Sequence, residues 1–129
     1  MKWRSEYAIG NTKIDEQHKM LFSVIKNFGE VLENGSGSKT YDLFLDFLNK
    51  YSKIHFDFEE ECMLAHQCPV VSKNKREFKR FRKAVEQEMK NYQQRGFDNE
   101  RAWKLLDWID NWFENHICRV DCQLKHDVG

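Results

Sequence analysis

Five residues in this sequence combine side-chain types that bind transition metals: His18, His55, Glu59, His116 and Asp121. Imidazole and carboxylate together suit iron, zinc or manganese, and ligand type alone does not choose among them. His55 and Glu59 are four residues apart, so on a helix they stack on one face. An ionised glutamate on a buried face is costly unless it is paired or coordinated. Asp121 follows His116 by five residues. At about 100° per residue that turns it about 140° away, so both face inward only where the helix ends or distorts. A lone histidine on such a face is most often a hydrogen-bonded core residue. Five such groups, on three helices and one helix end, point instead to a metal site in a bundle core.

The elements that must position these groups follow from apolar spacing. Residues 1–13 read as an N-terminal arm anchored by Trp3 and Tyr7. Ile14, His18, Leu21, Phe22, Ile25 and Leu32 share one face of a first helix opening at Ile14. Asn34-Gly35-Ser36-Gly37-Ser38 is the strongest turn signal, and Ser38 is placed to cap a second helix over 39–66. Its expected seam is Phe44, Phe47, Leu48, Tyr51, His55, Phe58, Glu59 and Cys62. Cys68-Pro69 marks the next break. A third helix is expected from about Val70 to Arg95-Gly96, with Val71, Asn74, Phe78, Phe81, Val85, Met89 and Tyr92 inward. Asp98 or Asn99 can cap a fourth, which carries Ala102, Leu105, Ile109, Trp112, Phe113 and His116 inward. Residues 119–129 read as a polar tail. The fold class is all-α: an up-down-up-down four-helix bundle with an N-terminal arm, a single domain over 1–129.

Composition agrees. The chain has 129 residues, 40% of them hydrophobic, enough for one core. A single proline and six glycines leave long helices uninterrupted. With 21 acidic residues against 21 basic ones, the formal net charge of zero argues against nucleic acid and against adhesion to anionic lipid. No stretch has the length of a signal peptide's apolar run or a membrane span, so a cytoplasmic protein is expected. Cys62, Cys68, Cys118 and Cys122 are then expected to be reduced thiols. Lys73, Lys75, Arg76, Lys79, Arg80, Arg82 and Lys83 on the third helix read as a solvated face.

Taken together, the motifs resemble the hemerythrin family. The resemblance rests on His18 within Ile-Asp-Glu-Gln-His-Lys-Met-Leu-Phe (14–22) and on His55-Phe-Asp-Phe-Glu59-Glu60 with Met63. It continues in Trp112-Phe-Glu-Asn-His116-Ile and Asp121, and in the arm with Trp3 and Tyr7-Ala-Ile-Gly10. It implies two irons bridged by a glutamate, an aspartate and a solvent oxygen, with dioxygen bound end-on at one of them. By position, His18 and His55 match the ligands of the oxygen-binding iron. Glu59 and Asp121 match the bridging carboxylates, and His116 matches one of three histidines on the other iron.

Two of those three histidines are missing. The family's His-x-x-x-His pair on the third helix falls on Asn74 and Phe78, with Cys68-Pro69 in place of a Tyr-Pro. Phe81 keeps the family's spacing from Phe78, so no gap hides the pair. Phenylalanine cannot ligate a metal and asparagine offers only a neutral carbonyl. The expectation is therefore one iron, or a weakened pair, in a setting that resembles mononuclear two-histidine, one-carboxylate sites. Family oxygen carriage takes one electron from each of two irons to make peroxide, which one iron cannot supply. The family's pocket leucine is Phe113 here, so Phe22, Phe113, Phe78 and Asn74 are the expected ligand-pocket residues. The residues favour a binding protein over an enzyme: one that binds or senses dioxygen or nitric oxide at an iron site. Two alternatives stay open, a mononuclear iron enzyme acting on peroxide or oxygen and a metal-poor interaction module. The cysteines could form a thiolate site or a switchable disulfide, but small buried residues and surface thiols are the simpler reading.

Overall fold

A computed structural model of the chain describes residues 8, 10–65, 67 and 71–116. It contains four helices, α1 (Thr12–Glu33), α2 (Gly37–Ala65), α3 (Val71–Arg95) and α4 (Asn99–His116). Packing joins α1 to α2, α2 to α3, α3 to α4 and α4 back to α1. Short connections make consecutive helices antiparallel, so this ring of contacts is the expected all-α four-helix bundle. No helix among the described residues is long and apolar enough to cross a membrane.

Local chemistry sets the helix ends. Asn11 caps α1, its side-chain oxygen accepting from the Ile14 amide at 3.1 Å, so the helix opens at Thr12, two residues before Ile14. At the other end Gly35 takes φ +81°. Its amide donates to the Leu32 carbonyl at 3.2 Å and the Ser36 amide donates to Val31 at 3.1 Å. This is a Schellman cap, which satisfies the last carbonyls through a left-handed residue. The next helix starts at Gly37, two residues before the 39 expected with Ser38 as its cap, because the turn closes sooner. A Cβ on Gly37 would lie 2.6 Å from Leu32 Cδ2 and 2.8 Å from Phe97 Cζ. Asp98 caps α4 as expected, accepting from the Arg101 amide at 3.1 Å.

The core follows the expected stripes with two corrections. On α2, Phe56 and Met63 are buried, while Phe47, Phe58 and Cys62 are only half-buried. The seam is broader and rotated because α2 packs against both α1 and α3. On α3, Phe81 and Val85 are buried but Val71, Phe78, Met89 and Tyr92 are partly exposed. Glu88, not anticipated from sequence, is buried there. Arg101 Nε donates to its two oxygens at 3.0 and 3.3 Å, and another guanidinium nitrogen reaches the Gly96 carbonyl at 2.7 Å. That knot ties α3 to α4. Burial and the Glu88 carboxylate push the neighbouring Tyr41 hydroxyl far above its ordinary pKa. Tyr41 precedes His55 by fourteen residues on α2, about 21 Å along the axis, so this knot and the histidines occupy different levels of the bundle.

The basic face of α3 is solvated as read: Lys75 pairs with Glu60 at 3.1 Å and Arg82 with Glu86 at 2.9 Å. Trp3, Tyr7, Cys68, Cys118, Cys122, Asp121 and the tail lie outside the described residues.

The Schellman cap gives a direct test. Gly35→Ala forces a left-handed conformation on a residue with a Cβ. It should lower unfolding free energy by about 1–2 kcal/mol, seen as a lower denaturation midpoint at unchanged slope. An unchanged midpoint contradicts this account of the turn.

Candidate metal centre

Three helices bring the site together. On α1, His18 stands in the apolar row with Ile14 and Leu21 and is fully buried. On α2, Tyr51, His55, Glu59 and Met63 follow one another at intervals of four and are all buried. On α4, His116 ends the row formed with Ile109 and Trp112. The sequence folds this way because each polar group replaces an apolar residue without shifting the helical period.

The donor atoms converge. His18 Nε2 is 3.3 Å from His55 Nε2, and Glu59 Oε2 is 3.4 Å from the first and 3.2 Å from the second. His116 Nε2 approaches the other carboxylate oxygen, Oε1, at 3.2 Å. Burial alone would raise the Glu59 carboxyl. The flanking His55 and His116, with the contacts to His116 and His18, outweigh that and hold it well below its ordinary range. It is therefore a carboxylate at neutral pH. Bonds of about 2.1 Å to one ion place neighbouring donors about 3.0 Å apart in an octahedron and about 3.4 Å apart in a tetrahedron. The spacings of the His18, His55 and Glu59 atoms fall within that range, so the residues fit one divalent ion.

The His55 ring is held from behind. Its Nδ1–H donates to Gln17 Oε1 at 2.8 Å, which turns Nε2 toward Glu59 and His18: a proton there pairs with the carboxylate when no ion is bound, and the lone pair is what an ion would take in its place. The Tyr51 hydroxyl donates to the Gln17 backbone carbonyl and fixes that residue in turn. Such outer partners orient ligands and raise their basicity. Gln17 was not anticipated; the only signal in the sequence is its place beside His18.

Aromatic rings enclose the rest. Phe113 meets the His18 ring edge-on at 5.2 Å, and Phe22 packs behind it, tilted against Phe113 at 4.9 Å. Phe78 lies one ring further out. It stacks on Phe56 at 4.8 Å, and Phe56 touches His55 and His116 at 5.3 and 5.2 Å. Asn74 is buried, and its side-chain oxygen has no hydrogen-bond partner among the described residues. Trp112, read from sequence only as core, lies flat against His116 at 5.0 Å with 5° between the planes. A groove of about 480 Å³ between α1 and α2, lined by Met20, Leu43, Phe47 and Ile54, reaches Tyr51 and His55.

With this geometry, the comparisons with known proteins are specific. The family model for the hemerythrin HHE cation binding domain matches residues 10–125. The chain belongs to the hemerythrin family. A bacteriohemerythrin from Clostridium acetobutylicum is 28% identical over 123 residues, covering 92% of this chain and 94% of the relative. No solved structure matches the chain. Among the described residues, His18, His55 and Glu59 bring three donor atoms together, His116 Nε2 meets the other oxygen of Glu59, and Phe78 is stacked on Phe56.

Burial, then the carboxylates of Glu59 and Glu61, raise the Cys62 thiol above its ordinary value, and the Asn11 amide approaches its sulfur at 3.9 Å.

Gln17→Leu should weaken divalent-metal affinity about 10–100-fold while leaving helix content unchanged. Competition against a chromophoric chelator measures it, and equal affinity in both proteins contradicts the orienting role of Gln17.

Proposed function

We propose that this hemerythrin-like chain holds one iron through Nε2 of His18, Nε2 of His55 and Oε2 of Glu59, and that it binds or senses dioxygen or nitric oxide there. The observation that supports this most is the convergence of those three atoms at 3.2–3.4 Å in a buried site. Asp121, outside the described residues, is the proposed further carboxylate ligand. His116 contacts the same glutamate and stands as the remnant of a second metal's ligand set.

Ferrous iron in this setting supplies an open coordination position to a diatomic ligand. The protein supplies the rest. Gln17 and Tyr51 hold the His55 ring, the charge of Glu59 balances the cation, and Phe22 and Phe113 keep the His18 side apolar. The groove lined by Met20, Leu43, Phe47 and Ile54 offers a small apolar gas a route to His55. Nitric oxide suits a single iron, since its binding needs no second electron source. The primary function on this reading is ligand binding, and it calls on neither nucleic acid nor membrane.

Protein purified without added metal should contain one iron per chain by elemental analysis and take up one nitric oxide per chain when ferrous and anaerobic. His18→Ala should lose both. Two irons per chain contradict the one-iron assignment, and a metal-free protein that neither takes up iron nor changes stability on chelation supports an interaction module instead.

A further inference from the structure

The stacked rings on α4 form a row that the ligand-binding reading does not use. Trp108, Trp112 and His116 are four residues apart, so they rise along one helix face. Trp108 and Trp112 lie 6.2 Å apart with 15° between planes, and Trp112 and His116 lie 5.0 Å apart with 5° between planes. His116 Nε2 then reaches Glu59 at 3.2 Å, and Glu59 reaches His18 and His55. Trp108, half-exposed, and an edge of the buried Trp112 line a surface cleft with Glu77, Arg80, Asn111 and Asn115, so the row runs from solvent to the buried site.

Trp112 has a second peculiarity. Its Nε1–H is buried and has no hydrogen-bond partner among the described residues. A buried unsatisfied donor costs stability and calls for a reason. An indole that loses an electron becomes acidic and gives up its proton to any nearby base. With no acceptor among the described residues, the proton stays and the electron can be returned to the same ring. Tyr51 also stacks on a histidine, His55, at 5.5 Å. Its hydroxyl, however, donates to the Gln17 backbone carbonyl, which cannot take the proton that tyrosine oxidation releases.

We propose that Trp112 and Trp108 are an electron relay that supplies the second electron for reduction of a peroxide at this site. The inference rests on the one-iron reading. Reducing hydrogen peroxide to two waters breaks the O–O bond and consumes two electrons and two protons. A ferrous ion held by His18, His55 and Glu59 would supply one of the two electrons. Trp112 gives the other and becomes an indole radical cation. Trp108 refills Trp112, and a small one-electron reductant at the surface cleft, such as ascorbate, refills Trp108. The two protons come from solvent. The relay thus takes the electronic place of the missing second iron.

The test uses ferrous protein with its iron content measured, mixed with half an equivalent of hydrogen peroxide per iron and frozen rapidly for electron paramagnetic resonance. Wild type and Trp103→Phe, which alters an indole outside the row, should oxidise one iron per peroxide and show an indole radical. Trp112→Phe should show no radical and should double the iron oxidised per peroxide to two. Trp108→Phe, a change at a half-exposed ring that leaves the core intact, should keep the radical on Trp112 and slow its reduction by ascorbate. A wild type with one iron per chain that oxidises two irons per peroxide without a radical overturns the relay. A second arm needs no metal. Photogenerated ruthenium(III) polypyridyl acting on metal-free protein should place a radical on Trp112, formed more slowly in Trp108→Phe. Absence of that radical overturns the relay whatever the iron content, whereas two irons per chain with the radical present overturns only the one-iron reading.

Discussion

The carboxylate of Glu59 is the constraint on which the rest of this bundle depends. It is fully buried and ionised, and nothing apolar around it can offset the cost of taking a charge out of water. Three imidazoles on three helices do so: His18 from α1, His55 from its own helix and His116 from α4. A buried charge with its partners spread over different helices fixes the rotation of each helix about its axis. It also leaves two histidine nitrogens and one oxygen aimed at a common point, which is the geometry a cation fills. Stability and function therefore draw on one arrangement. Removing any one imidazole leaves the same charge less compensated, and the cost falls on packing and on metal affinity together.

The two oxygens of that carboxylate face different surroundings. Oε2 faces His18 and His55; Gln17 backs the His55 ring, and Phe113, packed on Phe22, borders the His18 ring. Oε1 faces His116, which is covered by Trp112 and Phe56, with Phe78 stacked behind Phe56. One side offers converging lone pairs and the other offers π-faces. On the His116 side α3 presents Phe78, stacked on Phe56, where the resemblance to the hemerythrin pattern implies a histidine, and the stacked indoles of α4 complete a packing wall.

Much of this was legible in the sequence for a physical reason. His18, His55, Glu59 and His116 stand out because each interrupts an apolar stripe without breaking its period, and a stripe of period 3.6 is the strongest signal a helix leaves. The order of the four helices followed from the same stripes and from Asn34-Gly35 and Gly96. What escaped was whatever depends on a neighbour in another helix. Gln17 lies on the flank of α1 and gains its role only because His55 turns its Nδ1 toward it. Glu88 reads as one more surface acid until Arg101 meets it from α4. Gly37 reads as part of a flexible connector, yet it is the first residue of α2 and is pressed against Leu32 and Phe97. Phe56 and Met63 were misplaced in favour of Phe58 and Cys62 because α2 has two packing partners, and a single narrow seam cannot describe it.

The most direct measurement of the central claim is X-ray absorption at the iron edge of protein loaded to saturation. The account predicts a first shell of nitrogen and oxygen with the multiple scattering of two imidazoles and no iron–iron vector. A metal neighbour in the range of paired-metal sites, about 3.5 Å, would contradict it, because Asn74, Phe78 and the rings behind them would then have failed to exclude the second ion.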